Sequence, residues 1–320
     1  MSLHIFAAIV THHGTAANNR AETDGNITTL QKLIWHGRVH TSVSAEAIRF
    51  ALRRRLAEHE ETNRSWDETG PKPANTWRDP SFSKWAEGES YIDDDLLGFM
   101  SAEAAKEDGS DTATPAGVDE KAGKGKKARA KGTATIRRSP LEVTRAISLV
   151  PYGGDVTFNA ASPGATPSAQ KQGTNPVPYG TEVHATRFQY GLALTPGSLR
   201  KPERAKLAIE ALCALGEVAG NHGRFLFDFS PESLVLRVTH DPAPRLLYVF
   251  EPKDRDVDAP TLLARAVAKD IPAGELVVGG AFSQSKTARE LASLGATVVP
   301  GVREAARLAC EAIERQLKEV

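Results

Sequence analysis

The sequence predicts an α+β fold in which one core of mixed strands and helices carries two long insertions. Short apolar runs typical of buried strands alternate with segments of helical periodicity within residues 1–58 and 182–320. Two stretches between them, 59–140 and 151–181, are instead rich in polar residues, Gly and Pro and show little periodicity. We therefore expect one interrupted core more than two sequential domains.

The composition argues against several classes of protein. The 40 basic and 40 acidic residues balance, so net charge alone does not indicate nucleic-acid binding. Cys213 and Cys310 both lie in apolar helical patterns, which is typical of reduced, buried thiols in a cytosolic protein. The start of the chain lacks the basic residues of a signal peptide, and no apolar run approaches the ~18 residues of a membrane span. We therefore expect a cytoplasmic protein with no membrane partner.

The core begins with a predicted strand, because Leu3–Thr11 is a short, mostly apolar run that polar residues and Gly terminate. A long loop is expected from His12 to Gly37, a length typical of functional or disordered segments, and Arg38–Ser42 favours a short strand. Ser44 is a good N-cap for the helix that follows. The apolar stripe of this helix, at helical spacing, consists of Ile48, Ala51, Leu52 and Leu56.

The first insertion divides by composition. Tyr91–Met100 has the pattern of an ordered segment, and we interpret Asp93-Asp94-Asp95 within it as a polar turn. Residues 102–132 are low-complexity sequence, acidic first and then basic. The basic tract from Lys121 to Arg138 is either a flexible contact to nucleic acid or a solvated linker.

The remaining core is expected to alternate strands and helices. The predicted strands are Leu141–Val150, Val183–Leu194, Arg224–Phe229, Ser233–Thr239, Arg245–Phe250, Glu275–Val278 and Thr297–Val299. The predicted helices are Glu203–Val218, Ser285–Leu294 and Arg303–Lys318. We expect a turn at Ser230-Pro231-Glu232.

The segment from Thr11 to Arg55 carries the strongest functional signal. It is rich in Thr, Ser, Asn, His and Gly, and it runs into a helix with Arg49 and Arg53 on one face. Amides, hydroxyls and guanidinium groups along a loop and a helix N-terminus can hold a phosphate backbone without reading its sequence. The alternative is an ordinary N-cap with solvated arginines, and these residues alone do not decide between the two.

Several motifs, in their order and spacing together, resemble the backbone subunit of CRISPR type I effector complexes (Cascade), in its DevR-like branch and close to type I-B. The motifs are Asn18-Asn19-Arg20, Gly25-Asn26, Lys32, Gly37-Arg38-Val39-His40, Ser42 to Arg49 with Arg53, Tyr91 to Met100, Arg138 to Leu149, and Phe188 to Val238 with Asn221-His222-Gly223-Arg224. The resemblance covers nearly the whole chain except the low-complexity segment.

The resemblance implies a hand-like subunit. Its palm is related to the RNA-recognition-motif (ferredoxin-like) fold and corresponds to residues 1–58 and 182–320, its fingers are an insertion at 59–148, and its thumb is a loop at 149–181. Such subunits are non-catalytic and need no cofactor. Copies stack head to tail along the guide RNA (crRNA), beside other Cascade subunits, and present the guide for pairing with target DNA.

The resemblance also favours particular RNA contacts. At the start of the helix these are Ser42, Ser44, Arg49 and Arg53, and near the C-terminus they are Gly279, Gly280 and Lys286. A second predicted group consists of Asn18, Asn19, Arg20, Lys32, His36, Arg38 and His40. In the thumb, Tyr152, Phe158 and Tyr179 pack either against RNA or a neighbouring subunit, or only against their own palm.

Three other chemistries are disfavoured. His12 and His13, adjacent on a strand, would face opposite ways and make a poor metal pair. Asp93-Asp94-Asp95 alone supplies too few donors for a divalent cation. The run from Gly280 to Thr287 nearly matches the phosphate-binding GxxxxGK[ST] loop, but Ser285 replaces its second glycine. We therefore expect neither a metal site nor an NTPase.

The main rival hypothesis is an enzyme from the same superfamily, a metal-dependent target-RNA-cleaving backbone subunit of a type III-like complex. Asp24 in the polar loop would be its catalytic carboxylate. A lone Asp is weak support for that role. A transcription regulator is disfavoured as well, because no helix-turn-helix pattern with a basic recognition helix is present.

Overall fold

The structure is a computed structural model that describes residues 2–17, 23–67, 69, 74–102, 134–162, 177–219 and 226–318. In chain order, the strands of these residues are β1 (His4–Thr11), β2 (Gly14–Ala16), β3 (Thr23–Asp24), β4 (Ile27–Thr28), β5 (Lys32–Trp35), β6 (Arg38–Val43), β7 (Arg64–Asp67), β8 (Ala74–Trp77), β9 (Phe99–Ala102), β10 (Ala134–Arg137), β11 (Leu141–Val143), β12 (Ala146–Ser148), β13 (Val156–Ala161), β14 (Val177–Glu182), β15 (His184–Thr186), β16 (Phe188–Leu194), β17 (Pro231–Thr239), β18 (Glu251–Lys253), β19 (Asp256–Asp258), β20 (Leu276–Gly280) and β21 (Thr297–Val299). The helices are α1 (Ala45–Leu56), α2 (Ser83–Ala86), α3 (Ile92–Leu97), α4 (Arg204–Cys213), α5 (Pro260–Val267), α6 (Lys286–Ser293) and α7 (Val302–Lys318).

Strand β1 lies inside a nine-stranded sheet. The strand order is β21-β20-β17-β1-β16-β12-β6-β5, and β11 pairs with the other end of β16. Within this sheet the pairing of β20 with β21 is parallel, and the other pairings are antiparallel. The mixed α+β class predicted from the sequence is therefore confirmed.

The side chains of β1 alternate between two hydrophobic cores, one on each face of the sheet. Ile5, Ala7 and Ile9 belong to the first core. Phe6, Ala8 and Val10 belong to the second. Because both faces are covered, the strand is apolar throughout, and this is the pattern that made Leu3–Thr11 predictable as a buried strand.

Helices cover both faces. On the first face, α1, α3, α4 and α7 contribute buried side chains, and on the second face α5 and α6 do so. The predicted apolar stripe of α1 is fully or nearly fully buried, and each Ile or Leu in it stabilises the fold by about 1.5–3 kcal/mol. No helix among the described residues is long and apolar enough to cross a membrane.

A second sheet joins the opening segment to the second insertion. Its strand order is β13-β14-β4-β3. Strands β13 and β14 form an antiparallel pair, and β14 pairs in parallel with β4, with Gly180 opposite Ile27. Strands β4 and β14, which more than a hundred residues separate in the sequence, are thus hydrogen bonded to each other.

The expected loop from His12 to Gly37 is partly wrong, because it contains the short strands β2, β3 and β4 and its end forms an edge hairpin. Strand β5 pairs with β6 across the turn residues His36 and Gly37, whose φ values are 47° and 75°. Two successive positive φ values define the type of tight turn that matches the twist of paired strands. The sequence analysis recognised the second strand of this hairpin and missed the first.

Two other predicted strands are wrong in the described residues. Residues 226–229 and the segment Arg245–Phe250 have no strand pairing, whereas the start of the first, at 224–225, lies outside the described residues. In the second segment, Arg245 and Tyr248 have φ values of 52° and 54°, which no strand accommodates. The predicted turn at Ser230-Pro231-Glu232 is also wrong, since β17 begins at Pro231.

Candidate nucleic-acid interface

The edge hairpin of β5 and β6 holds an exposed predicted contact. Arg38, directly after the turn, is exposed, and its side chain has no hydrogen-bond or ion-pair partner within the described part of the chain. His36 is exposed in the turn itself and stands edge-on to Trp35, with ring centroids 4.9 Å apart. Lys32 on the facing strand instead lies 2.6 Å from a carboxylate oxygen of Glu182, which closes β14. Arg38 is thus an available cation, and Lys32 ties the hairpin to β14.

His40 is buried and serves as a link between strands. Its Nδ1–H donates to the carbonyl oxygen of Ser148 at 2.7 Å. The neighbouring Thr41 hydroxyl is hydrogen bonded to Nδ1 of His184 at 2.7 Å. Burial lowers the pKa of His184 to about 4, so this imidazole is neutral at physiological pH. These contacts connect β6 to β12 and β15 and leave His40 little room to contact a ligand.

The two predicted serines are engaged by their own chain. Ser44 is the N-cap of α1, as expected, and its Oγ accepts a hydrogen bond from the backbone N–H of Ala47 at 3.2 Å. Ser42 is buried, and its Oγ accepts from the guanidinium of Arg145 at 3.2 Å. The helix N-terminus therefore has its local cap and a further cation beside it.

Arg49 and Arg53 lie on one face of α1, as the spacing predicts, and both turn towards the first insertion. Arg53 Nε donates to a carboxylate oxygen of Asp93 at 3.1 Å. Arg49 donates to the carbonyl oxygen of Leu97 at the end of α3. Burial lowers the pKa of both guanidinium groups, although Asp93 partly opposes this for Arg53. Both residues line a groove.

The interpretation of Asp93-Asp94-Asp95 as a polar turn is wrong, because these residues form the buried start of α3. Asp93 also accepts backbone N–H groups of Asn63 and Arg64 at 2.7 and 3.1 Å. Asp95 pairs with Arg204 and Arg137, each at 3.0 Å. Three consecutive carboxyl groups are thus held in the interior by cations and N–H donors from distant parts of the chain.

Asp94 differs from its neighbours because it has no ion pair among the described residues. It accepts a hydrogen bond from Asn63 Nδ2 at 3.0 Å. Burial, followed by the charge of Asp93, raises the pKa of its carboxyl to about 7. Asp94 therefore titrates near neutral pH, at the wall of the groove that Arg49 and Arg53 border.

The predicted glycine loop near the C-terminus is instead the end of a buried strand. A Cβ on Gly279 would lie 2.8 Å from the carbonyl oxygen of Gly301, and one on Gly280 would lie 2.7 Å from Cα of Ser233. Gly280 also has a φ of 90°. Close packing against α7 and β17 therefore accounts for both glycines. Lys286 is exposed at the start of α6, 3.5 Å from Glu290 one turn later.

The register of the main sheet gives the separation between two predicted contacts, Ser42 and Gly280. Gly280 lies opposite Ser233, Ser233 opposite Val10, and the same row continues across β16 and β12 to Ser42. Ser42 and Gly280 are thus at the same end of the sheet, five strand spacings or about 24 Å apart. One short contact cannot include both.

Several predicted positions fall outside the described residues. They are Asn18, Asn19 and Arg20, the motif Asn221 to Arg224, and most of the low-complexity segment. Asp24 is described and is exposed in β3. Within the described ranges, no group of three or more His, Cys, Asp and Glu residues could hold a metal ion.

The groove contains residues that the sequence analysis missed. Arg64 and Trp77 are paired across β7 and β8, and the guanidinium carbon of Arg64 lies 5.2 Å from the centroid of the indole. Met100 and Ile136 are opposite each other on β9 and β10. The aperiodic composition of residues 59–90 gave no signal that β7 and β8 form. Only the tertiary structure brings the side chains of these four strands to Arg49 and Arg53.

Comparison with known proteins gives one close relative and a shared fold. No protein-family model matches the chain. The "CRISPR-associated protein Cas7/Cst2/DevR" of Myxococcus xanthus (strain DK1622) is 57% identical over 324 residues, which covers 99% of this chain and 100% of that protein. The fold is similar to a chain of a "CRISPR RNA-guided surveillance complex", with a TM-score of 0.54 at 13% identity over 97% of this chain and 100% of that one. A "CRISPR RNA-guided surveillance complex, pre-nicking" gives a TM-score of 0.55 at 10% identity, with the same coverage.

Proposed function

The chain belongs to the Cas7/Cst2/DevR family of CRISPR-associated proteins, and we propose that it is a non-catalytic guide-RNA-binding backbone subunit of a type I effector complex. The identity to the relative extends over 99% of the chain, so it includes the core and both insertions. Similarity of fold to chains of RNA-guided surveillance complexes supports the same role. Copies of the subunit would line the guide head to tail, beside other Cascade subunits.

The proposal assigns the nine-stranded sheet and its helices to an RNA-recognition-motif-like palm. Residues 149–181 are the thumb, whose hairpin of β13 and β14 exposes Val156 and Phe158 by 50% and 79%. Such exposed apolar side chains suit a contact with a neighbouring copy or with an RNA base. Strands β11 and β12 pair with β16 in the main sheet, which favours a fingers boundary before Leu141 rather than at 148.

The observation that carries the proposal is the edge hairpin beside the N-terminus of α1. Arg38 offers an exposed cation whose side chain has no partner among the described residues. Arg49 and Arg53 lie on α1, which follows the other end of β6, and their guanidinium groups are held by Leu97 and Asp93. Phosphate contacts of this kind hold a strand without reading its sequence. Specificity for target DNA would then come from base pairing to the guide.

Charge reversal at Arg38 tests this proposal. The chain is co-expressed with its partner subunits and a guide RNA, and native mass spectrometry counts the copies of the chain per guide. We expect Arg38→Glu to reduce that number and the amount of co-purified RNA. Arg54→Glu is the matched control, since Arg54 is also exposed on α1 and lies 3.9 Å from Glu217. Equal assembly of both variants and of the unmodified chain would remove the hairpin from the interface.

The same preparation separates the proposal from its enzymatic rival. The assembled complex is incubated with a complementary target RNA and a divalent metal ion, and cleavage products are followed by gel electrophoresis. We expect the target RNA to stay intact. Cleavage that disappears in the Asp24→Ala variant would replace the proposal with a target-RNA-cleaving backbone subunit of the type III kind.

A further inference from the structure

A groove lies between α1 and the first insertion, and the proposed function does not account for all of it. Its volume is about 850 Å³, within the roughly 300–1,000 Å³ typical of ligand sites. The side chains that matter for its chemistry are Arg49, Arg53, Arg64, Trp77, Met100 and Ile136. We call this surface the arginine groove.

The cations of the arginine groove are fixed before any ligand binds. Arg53 is held by Asp93, and Arg49 by the carbonyl oxygen of Leu97. Arg64 Nε donates to Asn75 Oδ1 at 3.1 Å while its guanidinium lies over Trp77. Each contact uses only part of the five N–H donors of a guanidinium group, and fixing the rest in advance lowers the entropy cost of binding an oxyanion.

Apolar and aromatic surface stands beside these cations. Trp77 is 39% exposed, the guanidinium of Arg64 lies over its ring, and the ring of Phe82 is nearly perpendicular to it with the centroids 5.7 Å apart. Met100 and Ile136 are 68% and 67% exposed. Exposed aliphatic side chains cost solvation free energy unless something covers them. Together the lining offers a flat ring, an aliphatic wall and anion donors.

The acidic residues of the groove limit what kind of anion fits. Its carboxyl groups belong to Glu46, Asp93, Asp94 and Glu142. Asp93 is saturated by Arg53 and two backbone N–H groups, and Glu142 is paired with Arg138 at 2.6 Å. With so many carboxyl groups present, a bare polyanion would be held weakly, and a ligand that adds a stackable ring to its phosphate is favoured.

We propose that the arginine groove binds a nucleotide of a single-stranded nucleic acid, its base stacked on Trp77 and its phosphate on the guanidinium groups of Arg49 and Arg64. This inference rests on the proposed function and extends it, because it assigns a base-binding site to the first insertion. Guide RNA and an unpaired DNA strand share this chemistry, so the experiment compares RNA with DNA.

The test uses the purified full-length chain and fluorescently labelled oligonucleotides about ten nucleotides long, as RNA and as DNA of the same sequence. Trp77→Leu keeps apolar bulk and removes the stacking surface. Trp66→Leu is the matched control, because Trp66 lies on the paired strand with the same 39% exposure but does not line the groove. Since stacking contributes about 1–3 kcal/mol per base, we expect Trp77→Leu to weaken binding about tenfold and Trp66→Leu to leave it unchanged.

A second measurement locates the base directly. Oligonucleotides that carry 5-iodouridine, or 5-iododeoxyuridine for DNA, are irradiated on the protein, and the cross-linked peptide is identified by mass spectrometry. A cross-link at Trp77 supports the groove, and the better cross-linked strand identifies its natural source. Unchanged affinity of Trp77→Leu overturns the inference, and so do cross-links found only elsewhere.

The outcomes separate the inference from the proposed function. If guide-dependent assembly occurs but Trp77→Leu binds oligonucleotides as the unmodified chain does, the groove is wrong and the function stands. If Trp77 is needed for oligonucleotide binding but no guide-dependent assembly forms, the function is wrong and the groove stands.

Discussion

Two regions lie at the same end of the sheet: the edge hairpin of β5 and β6, and the junction between β20 and α6. Both contain glycine, but for different structural reasons. Both regions combine glycine with basic residues, and the sequence predicts RNA contacts from both. In the hairpin, Gly37 has no heavy atom near the position of a Cβ and only allows the turn. In the junction, Gly279 and Gly280 are glycines because neighbouring backbone leaves no space for a side chain. The same glycine–cation pattern thus accompanies an exposed glycine in the hairpin and enclosed glycines in the junction.

Replacement of Gly280 by alanine has the largest expected effect on stability. Its φ of 90° and ψ of −162° are accessible essentially to glycine alone, and the new Cβ would overlap the carbonyl oxygen of Glu232. We expect Gly280→Ala to lower the free energy of unfolding by at least about 3 kcal/mol in chemical denaturation. Gly274→Ala is the control, because nothing lies within 4 Å of its Cβ position. Similar small effects for both would mean that Gly280 is not fixed by packing.

Removal of the Arg53 charge comes next. Asp93 is 2% exposed and would lose its ion pair, and stranding one partner of a buried pair is costly. We expect Arg53→Gln to destabilise the fold by about 2–3 kcal/mol in thermal or urea unfolding. The adjacent Arg54→Gln removes a cation that is 55% exposed and should change stability by less than about 0.5 kcal/mol. If Arg53→Gln leaves the free energy of unfolding unchanged, the ion pair with Asp93 does not stabilise the fold, and RNA binding would be the remaining role of Arg53.

Local features of the structure could be predicted from the sequence, and long-range contacts could not. The cap at Ser44 and the apolar stripe of α1 were predictable because their partners lie within one or two turns. The burial of Asp95 was not predictable, because its ion-pair partner Arg204 is 109 residues away in the chain. The pairing of β4 with β14 and the close approach of Gly301 to Gly279 are likewise long-range. Periodicity reports which face of an element is buried, and it carries no information about which distant charge or backbone meets that face.

Asp94 gives a smaller effect that depends on pH. The groups that face it are Asp93 on its own helix, Arg53 on α1, and Asn63 and Asp79 in the insertion. Its folded pKa of about 7 lies above the unfolded value of about 3.9. The native state therefore holds the proton more tightly, and the resulting stability is complete below pH about 4 and is lost as pH rises through about 7.

Asp94→Asn removes this titration. We expect the variant to match the unmodified chain near pH 4 and to be more stable by about 1–2 kcal/mol at pH 8, part of the gain being offset by a weaker hydrogen bond from Asn63. Urea unfolding at a series of pH values measures the difference. A difference that does not grow between pH 4 and 7 would show that Asp94 is ionised throughout.

The smallest expected change in stability, and the most direct comparison of the two regions, comes from Arg38 and Lys286. Both are exposed, so Arg38→Gln and Lys286→Gln should leave the unfolding free energy within about 0.5 kcal/mol of the unmodified chain. RNA affinity is then measured over a range of salt concentrations. Each phosphate contact to a single strand contributes about 0.7 to the slope of log affinity against log salt concentration. We expect the slope to fall by about that amount for Arg38→Gln and to stay unchanged for Lys286→Gln, whose cation already has Glu290 beside it. Equal losses in both variants would mean that the RNA crosses the full 24 Å or so of the sheet end, and that the junction contributes through Lys286 even though its glycines do not.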